Sequence, residues 1–252
     1  MNLSYLTNIG KTSKNQEDSL LLAEQDKEPR IIQANLTKAV TLPIFPTLLA
    51  VSDGIAGLKY GEVASTLTLS FLAQIIQDDS AISTAKAIRI AQERLSMYAL
   101  KKPKYSGMGA TLAGVRFFED EAHVFNVGDS RVYLFRQGRL SQLSIDHTLA
   151  RKMAMEGEIA DEKEAANAYK LLNSAIIASD DEGDFQISIT KIELNGGDKL
   201  LICTDGLSDM VDDATIQKYF SKYDDSSELA TKLYQKAMRN GGLDNISLIV
   251  CF

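Results

Sequence analysis

Apolar residues in this chain come in short bursts, and that limits its fold more than any other feature. Thr47 to Ser52, Ala110 to Phe118, Ala122 to Val127, Arg131 to Arg136, Phe185 to Leu194, Lys199 to Cys203 and Ile246 to Phe252 are short runs. The turn formers between them include Asp53-Gly54, Glu119-Asp120-Glu121, Gly128-Asp129, Gln137-Gly138 and Asn195-Gly196-Gly197-Asp198. Runs of this length with such boundaries read as β-strands. Helical periodicity breaks in at three places. Val63, Leu67, Phe71 and Ile75 share a face at four-residue spacing from Gly61. Ile88, Ala91, Leu95 and Tyr98 follow a capping Ser83, and Leu229, Leu233 and Ala237 follow Ser226 or Ser227 until Asn240-Gly241-Gly242 stops the helix. Many short strands with helix pairs predict an α+β fold, a four-layer αββα sandwich of two antiparallel sheets flanked by helix pairs. With four prolines and no repeat, one domain covering residues 1–252 is the economical arrangement. The stretch 147–184 is polar and weakly patterned; it reads as helices with a mobile loop around Ser179 to Gly183.

No apolar run approaches the ~20 residues that span a bilayer. No leader-like order of charged, apolar and small residues opens the chain. A cytoplasmic protein without a membrane partner is expected. The 34 acidic residues exceed the 27 basic ones, a net charge of −7. Nucleic acid is therefore not expected as a partner, because a phosphate backbone needs a basic footprint. A phosphorylated substrate stays possible in principle, since bound divalent cations reverse the local sign of an acidic site. Cys203 and Cys251 each lie inside an apolar run, the pattern of buried reduced thiols.

Four acidic residues lie at strand ends. Asp53 follows Leu48-Leu49-Ala50-Val51-Ser52, Asp129 follows Val127-Gly128, and Asp205 follows Leu200-Leu201-Ile202-Cys203-Thr204. Asp244 precedes Ile246 to Val250. Converging carboxylates repel, and a hard cation relieves them; oxygen donors of this kind suit magnesium or manganese rather than zinc. An Asp-Gly pair is also a common turn, so each residue alone is equally at home in a loop. His-Glu-x-x-His, Cys-x-x-Cys and Gly-x-x-x-x-Gly-Lys-Ser/Thr motifs are absent. His123, on an alternating strand, reads as a packed residue, and His147, after Asp146, as a structural hydrogen-bonder.

The order of motifs resembles the PP2C-type (PPM) metal-dependent serine/threonine protein phosphatases, compact bacterial type, over nearly the whole chain. Gly10 to Ser19 is similar to the first motif with its acidic pair Glu17-Asp18. Asp53-Gly54-Ile55-Ala56-Gly57 resembles Asp-Gly-x-Gly-Gly, and Gly107-Met108-Gly109-Ala110-Thr111 a Gly-x-Gly-Thr-Thr strand entry. Asn126-Val127-Gly128-Asp129-Ser130-Arg131, Asp146-His147, Thr204-Asp205-Gly206 and Asp244-Asn245 complete the set. The resemblance implies two Mn2+ or Mg2+ ions and a weaker third. Asp53 would bridge two metals with the Gly54 carbonyl on one; Asp205 and Asp244 would hold the first, Glu17 or Asp18 the second, and Asp129 with Asp205 the third. Asn245 would support them. Asp53, Asp205 and Asp244 would thus serve catalysis, a metal-activated water attacking phosphorus with no phosphoenzyme. The implied partner is a phosphoprotein, with a companion serine/threonine kinase that this activity opposes.

Three positions depart from the family pattern. Ser13 stands where the first motif usually carries a phosphate-binding arginine, leaving Lys11 or Lys14 to supply charge without a bidentate fork. Ala56 replaces a glycine, and Ile55 stands where some members have histidine. The region 147–184 corresponds to the variable flap and is expected to govern substrate choice. Besides an active phosphatase, the sequence admits a catalytically weak relative that binds phosphoproteins or a partner, a hydrolase of another ester, and a structural calcium-binding domain.

Overall fold

A strand that is apolar on both faces must be covered on both faces, and this chain meets that requirement with layers. The computed structural model describes residues 2–55, 57–119, 121–160, 171–179 and 185–252. Its strands are β1 (Asn2–Asn8), β2 (Ser19–Glu24), β3 (Arg30–Ile32), β4 (Val40–Pro43), β5 (Pro46–Ser52), β6 (Gly109–Ala110), β7 (Leu112–Phe117), β8 (Ala122–Val127), β9 (Arg131–Arg136), β10 (Arg139–Gln142), β11 (Ile176–Ile177), β12 (Ser188–Ile192), β13 (Lys199–Cys203) and β14 (Ile246–Cys251). Its helices are α1 (Gly61–Asp78), α2 (Thr84–Lys101), α3 (Leu149–Met155), α4 (Asp205–Ser208), α5 (Asp213–Lys222) and α6 (Ser226–Arg239). One antiparallel sheet runs β10-β9-β13-β14-β1-β4 and the other β12-β8-β7-β5-β2-β3, with β11 and β6 forming a small ribbon.

Alternate residues of each central strand enter different cores. In β14, Leu248 and Val250 pack toward α5 and α6, whereas Ile249 and Cys251 face the other sheet. In β5, Leu48 and Ala50 pack toward α1 and α2, whereas Leu49 and Val51 join the inter-sheet core. Three apolar cores separate four layers, which is the expected αββα sandwich. Each buried Leu, Ile or Val contributes about 2 kcal/mol of transfer free energy, so neither face of such a strand tolerates exposure. Both cysteines are buried and unpaired, as their apolar runs predict.

Several elements differ from the expectations. Of the predicted face Ile75 is buried, while Val63, Leu67 and Phe71 are half-buried; the rest of the buried side of α1 includes Ala64, Thr68, Leu69, Leu72, Ala73 and Ile76. The cause is that α1 packs on both the sheet and α2, so its apolar stripe is broad. Ser83 caps α2 as predicted, but Asp225, not a serine, caps α6 by accepting the Glu228 N–H. The polar strand β1 escaped the pattern because Ser4 and Thr7 are buried through hydrogen bonds to Ser226 and Ser247. Within 147–184, α3 is a helix, but Ile176–Ile177 pairs with Gly109–Ala110 as a strand. The loop expected around Ser179 to Gly183 falls almost wholly outside the described residues. No helix among the described residues is long and apolar enough to cross a membrane.

Candidate metal centre

Strand register brings the acidic residues together. Ser19 faces Ser52 across β2 and β5, so Asp18 and Asp53, one step beyond, leave the sheet at the same end. In the other sheet Cys203 faces Leu248, and the Thr204 N–H continues the ladder to the Ser247 carbonyl. Asp205, at the start of α4, and Asp244, two residues before β14, therefore emerge side by side. Asp129 lies on the turn by which β8 of one sheet passes to β9 of the other. Two sheets thus deliver five aspartates to one edge of the sandwich.

They border a cleft of about 1030 Å³ whose lining includes Glu17, Asp53, Gly54, Asp129, Asp205 and Asp244. Asp18 lies behind them, fully buried; Thr204 Oγ1 donates to its Oδ2 at 2.9 Å, and its Oδ1 has no hydrogen-bond partner. Burial, then the charge of Asp205, pushes Asp18 up to about 7 despite its hydroxyl donors. Burial and the charges of Asp18, Asp205 and Asp244 hold Asp53 well above the usual carboxylate range. Asp129 is pushed up to about 8 by burial and by Asp205, Asp146 and Asp209. Burial first, then Glu62 and Asp244, raise Glu17. Carboxylates raised in this way by one another are relieved by protons or by cations.

The donor set is oxygen only, and the Asp18 oxygen without a donor lies in the same mutually repelling group as Asp53. Those features fit hard divalent cations. Among the described residues no group of three or more Asp, Glu, His or Cys side chains is already assembled to hold an ion.

The backbone under these residues is built for close approach. A Cβ on Gly54 would run into Gly61 at the start of α1, and one on Gly61 would lie 2.6 Å from Glu17 Oε2. The Gly54 N–H donates to the Glu17 carbonyl at 3.2 Å, so the two glycines let the loop before α1 settle against Glu17. Asn245 is almost fully buried. Its Oδ1 accepts the Glu17 N–H at 2.6 Å, and its Nδ2 donates to the carbonyls of Ile9 and Asn15, each at 3.0 Å.

Sequence reasoning missed the hydroxyls. Thr111 Oγ1 accepts the Asp53 N–H at 3.1 Å and bonds Ser130 Oγ at 2.7 Å, tying the Asp53 turn to the Asp129 turn. Thr204 ties Asp18 to the strand that precedes Asp205. A buried Ser or Thr next to Asp18, Asp53, Asp129 and Asp205 (Ser19, Ser52, Ser130 and Thr204) was the signal for such roles. Arg131 grips Asp146 through Nε and Nη2, at distances down to 2.6 Å.

Of the proposed phosphate-binding lysines, Lys14 lines the cleft and is the one cation among its described lining residues; Lys11 is exposed and does not. Ser13 also lines the cleft and donates to Asp244 Oδ1 at 3.3 Å. Ala56 lies outside the described residues. Both histidines are structural, as read. His123 bonds Thr84 and Glu121. His147 accepts the Gly128 N–H at Nδ1 and bonds Ser188 through Nε2, and burial pushes its ring down to about 4.

Comparison with known proteins agrees with this architecture. The family described as protein phosphatase 2C matches residues 36–240. The Mycobacterium tuberculosis serine/threonine protein phosphatase PstP is 33% identical over 207 residues, which is 81% of this chain but 40% of that protein. The Listeria innocua serine/threonine phosphatase stp is 29% identical over 259 residues, covering 99% and 95% of the two chains. A crystal structure of the Mycobacterium tuberculosis serine/threonine phosphatase PstP superposes at TM-score 0.79, and one described as the catalytic domain of serine threonine protein phosphatase PstP in complex with two manganese ions at 0.76. Each is 29% identical and covers 99% of this chain and 98% of that one. Glu17, Asp18 and Asp244 fall outside the matched stretch 36–240, and it is the fold that brings them beside Asp53 and Asp205. With the sandwich, the acidic edge and the motif order in agreement, this chain belongs to the protein phosphatase 2C family.

Proposed function

We propose that the chain is a protein serine/threonine phosphatase that depends on Mn2+ or Mg2+. The observation that carries this reading is the convergence of Asp18, Asp53, Asp129, Asp205 and Asp244 at one edge, where burial and neighbouring carboxylates raise the proton affinity of Asp18, Asp53 and Asp129. Asp53 would serve two ions and the Gly54 carbonyl one of them; Asp205 and Asp244 would hold the first, and Glu17 or Asp18 the second. Asp129 and Asp205 would hold a third. The ions supply an activated water and positive charge for the phosphoryl oxygens. The chain's own residues orient that chemistry. Asn245 and Thr111 fix the loops that carry Glu17 and Asp53, and Lys14 stands at the cleft to meet the dianion. The cleft opens to solvent beside Ser13 and Lys14, which suits a side chain presented by a protein. A companion kinase would supply the phosphoprotein.

The test is hydrolysis of para-nitrophenyl phosphate and a phosphothreonine peptide with manganese, magnesium, calcium or chelator. Turnover with manganese, lost with chelator and in a folded Asp53→Asn variant, is expected. Near-normal turnover in Asp53→Asn, or activity indifferent to chelator, overturns the assignment.

A further inference from the structure

Beyond the acidic edge, the cleft changes character. Ile55, Leu58, Leu171, Ile177 and Phe185 also line it, among the uncharged Gln92, Asn173, Ser174 and Ser179. Leu58, Leu171 and Ile177 keep 37%, 56% and 36% of their surface in water, so three of the chain's exposed large apolar residues border one cleft. The corner nearest the carboxylates is a built feature. The Leu58 N–H donates to the Ile55 carbonyl at 3.1 Å, holding the two side by side in a turn. A Cβ on Gly109 would lie 3.1 Å from Ile55 Cδ1 and 3.2 Å from Ile177 Cγ1, so the bare glycine lets these two isoleucines close over it. Ile177 is fixed from behind: it pairs with Gly109, and Gln92 of α2 donates to its carbonyl.

We infer that the apolar corner of Ile55, Leu58 and Ile177 holds an apolar side chain of the phosphoprotein, one or two residues from the phosphorylated Ser or Thr. This rests on the phosphatase reading above. Ile55 follows Asp53 by two residues, so corner and carboxylates are separated by at most about 7 Å of chain, a span that one or two residues of an extended peptide cover. Against Ile55, Leu58 and Ile177 themselves a charged flanking residue would lose water and find no polar side chain, whereas an apolar one removes both surfaces from water. The corner therefore selects on the residue beside the phosphate, while the acidic edge serves any phosphate monoester.

The experiment compares kcat/KM for phosphothreonine peptides carrying Leu, Ser or Asp at the first and second positions on each side. Para-nitrophenyl phosphate, which has no flanking residue, is the reference. The wild-type chain with manganese should favour a Leu-flanked peptide over its Asp counterpart by about tenfold. Leu58→Ser and Ile177→Ser should each cut that preference to about twofold, with para-nitrophenyl phosphate turnover within about twofold of wild type. Leu58→Met should keep the preference. A flat peptide profile in the wild type, or a preference that both serine variants retain, overturns the inference while the reference turnover upholds the phosphatase reading. Absence of reference turnover in the wild type with manganese or magnesium removes that reading, and the inference with it.

Discussion

Asn245 offers a measure of how firmly the candidate site is held from behind. Its side chain is 2% exposed and ties the segment before β14 to the stretch Ile9 to Glu17, more than 220 positions away in sequence. Asn245→Ala removes the acceptor for the Glu17 N–H and the donor for the Ile9 and Asn15 carbonyls. Each of these partly buried hydrogen bonds contributes about 1 kcal/mol. Three such losses amount to about 3 kcal/mol, with little transfer energy regained from a methyl group. In a domain of this size that corresponds to a fall in Tm of about 6–12 °C. Urea unfolding with chelator present is the appropriate assay, with m unchanged and the midpoint lowered. Because the loop ending in Glu17 and Asp18 loses its tether, manganese affinity measured by calorimetry should fall as well. A loss of stability under about 1 kcal/mol with unchanged manganese affinity would refute the claim that Asn245 positions this loop.

The other expectations follow from equally local observations. A Cβ at Gly206 meets the Asn245 carbonyl; Gly206→Ala should therefore destabilise by about 2 kcal/mol or more and weaken manganese binding, and a stable variant with normal affinity would disprove the close packing between the Asp205 and Asp244 segments. His147 accepts a backbone N–H and is held near 4 in the folded state against 6.5 unfolded, so the unfolded chain binds more protons in that window and stability falls as pH drops from about 6.5 to 4. The full effect is at most about 3 kcal/mol, since each pKa unit is worth about 1.4, and His147→Asn should flatten this limb in urea midpoints compared with wild type; parallel pH curves would contradict it. Ser13→Arg places a bidentate donor at the cleft and should lower KM for a phosphopeptide severalfold, while an unchanged KM would assign the phosphate contact to Lys14.

Much of this protein was legible because its central strands are apolar on both faces. Continuous runs such as Leu48-Leu49-Ala50-Val51 and Leu200-Leu201-Ile202-Cys203 admit few arrangements other than stacked sheets under helices, and their ends fell almost where the structure puts them. The strand-end aspartates were visible for the same reason, since a carboxylate cannot continue such a run. Residue order alone left several elements hidden. β1 is polar in sequence yet buried, because its hydroxyls find partners on α6 and β14. α5 shows only Ile216 and Phe220 as buried anchors, too few to stand out as a periodic pattern. Ile176–Ile177 becomes a strand only because Gly109–Ala110 is there to pair with it.

The sequence by itself determined which residues are acidic, that the continuous apolar runs are strands, and which motifs follow one another. Local composition dictates these properties, through side-chain periodicity and turn chemistry. Tertiary structure alone decided that carboxylates from two different sheets share one edge, that Asp18 lies buried while Glu17 faces the cleft, and that Lys14 rather than Lys11 reaches it. Those outcomes depend on strand register and on backbone approach at Gly54, Gly61 and Gly206, where contacts form between residues up to about two hundred positions apart. A carboxylate's proton affinity is set in the same way, by the burial and the neighbouring charges that only the assembled sheets impose.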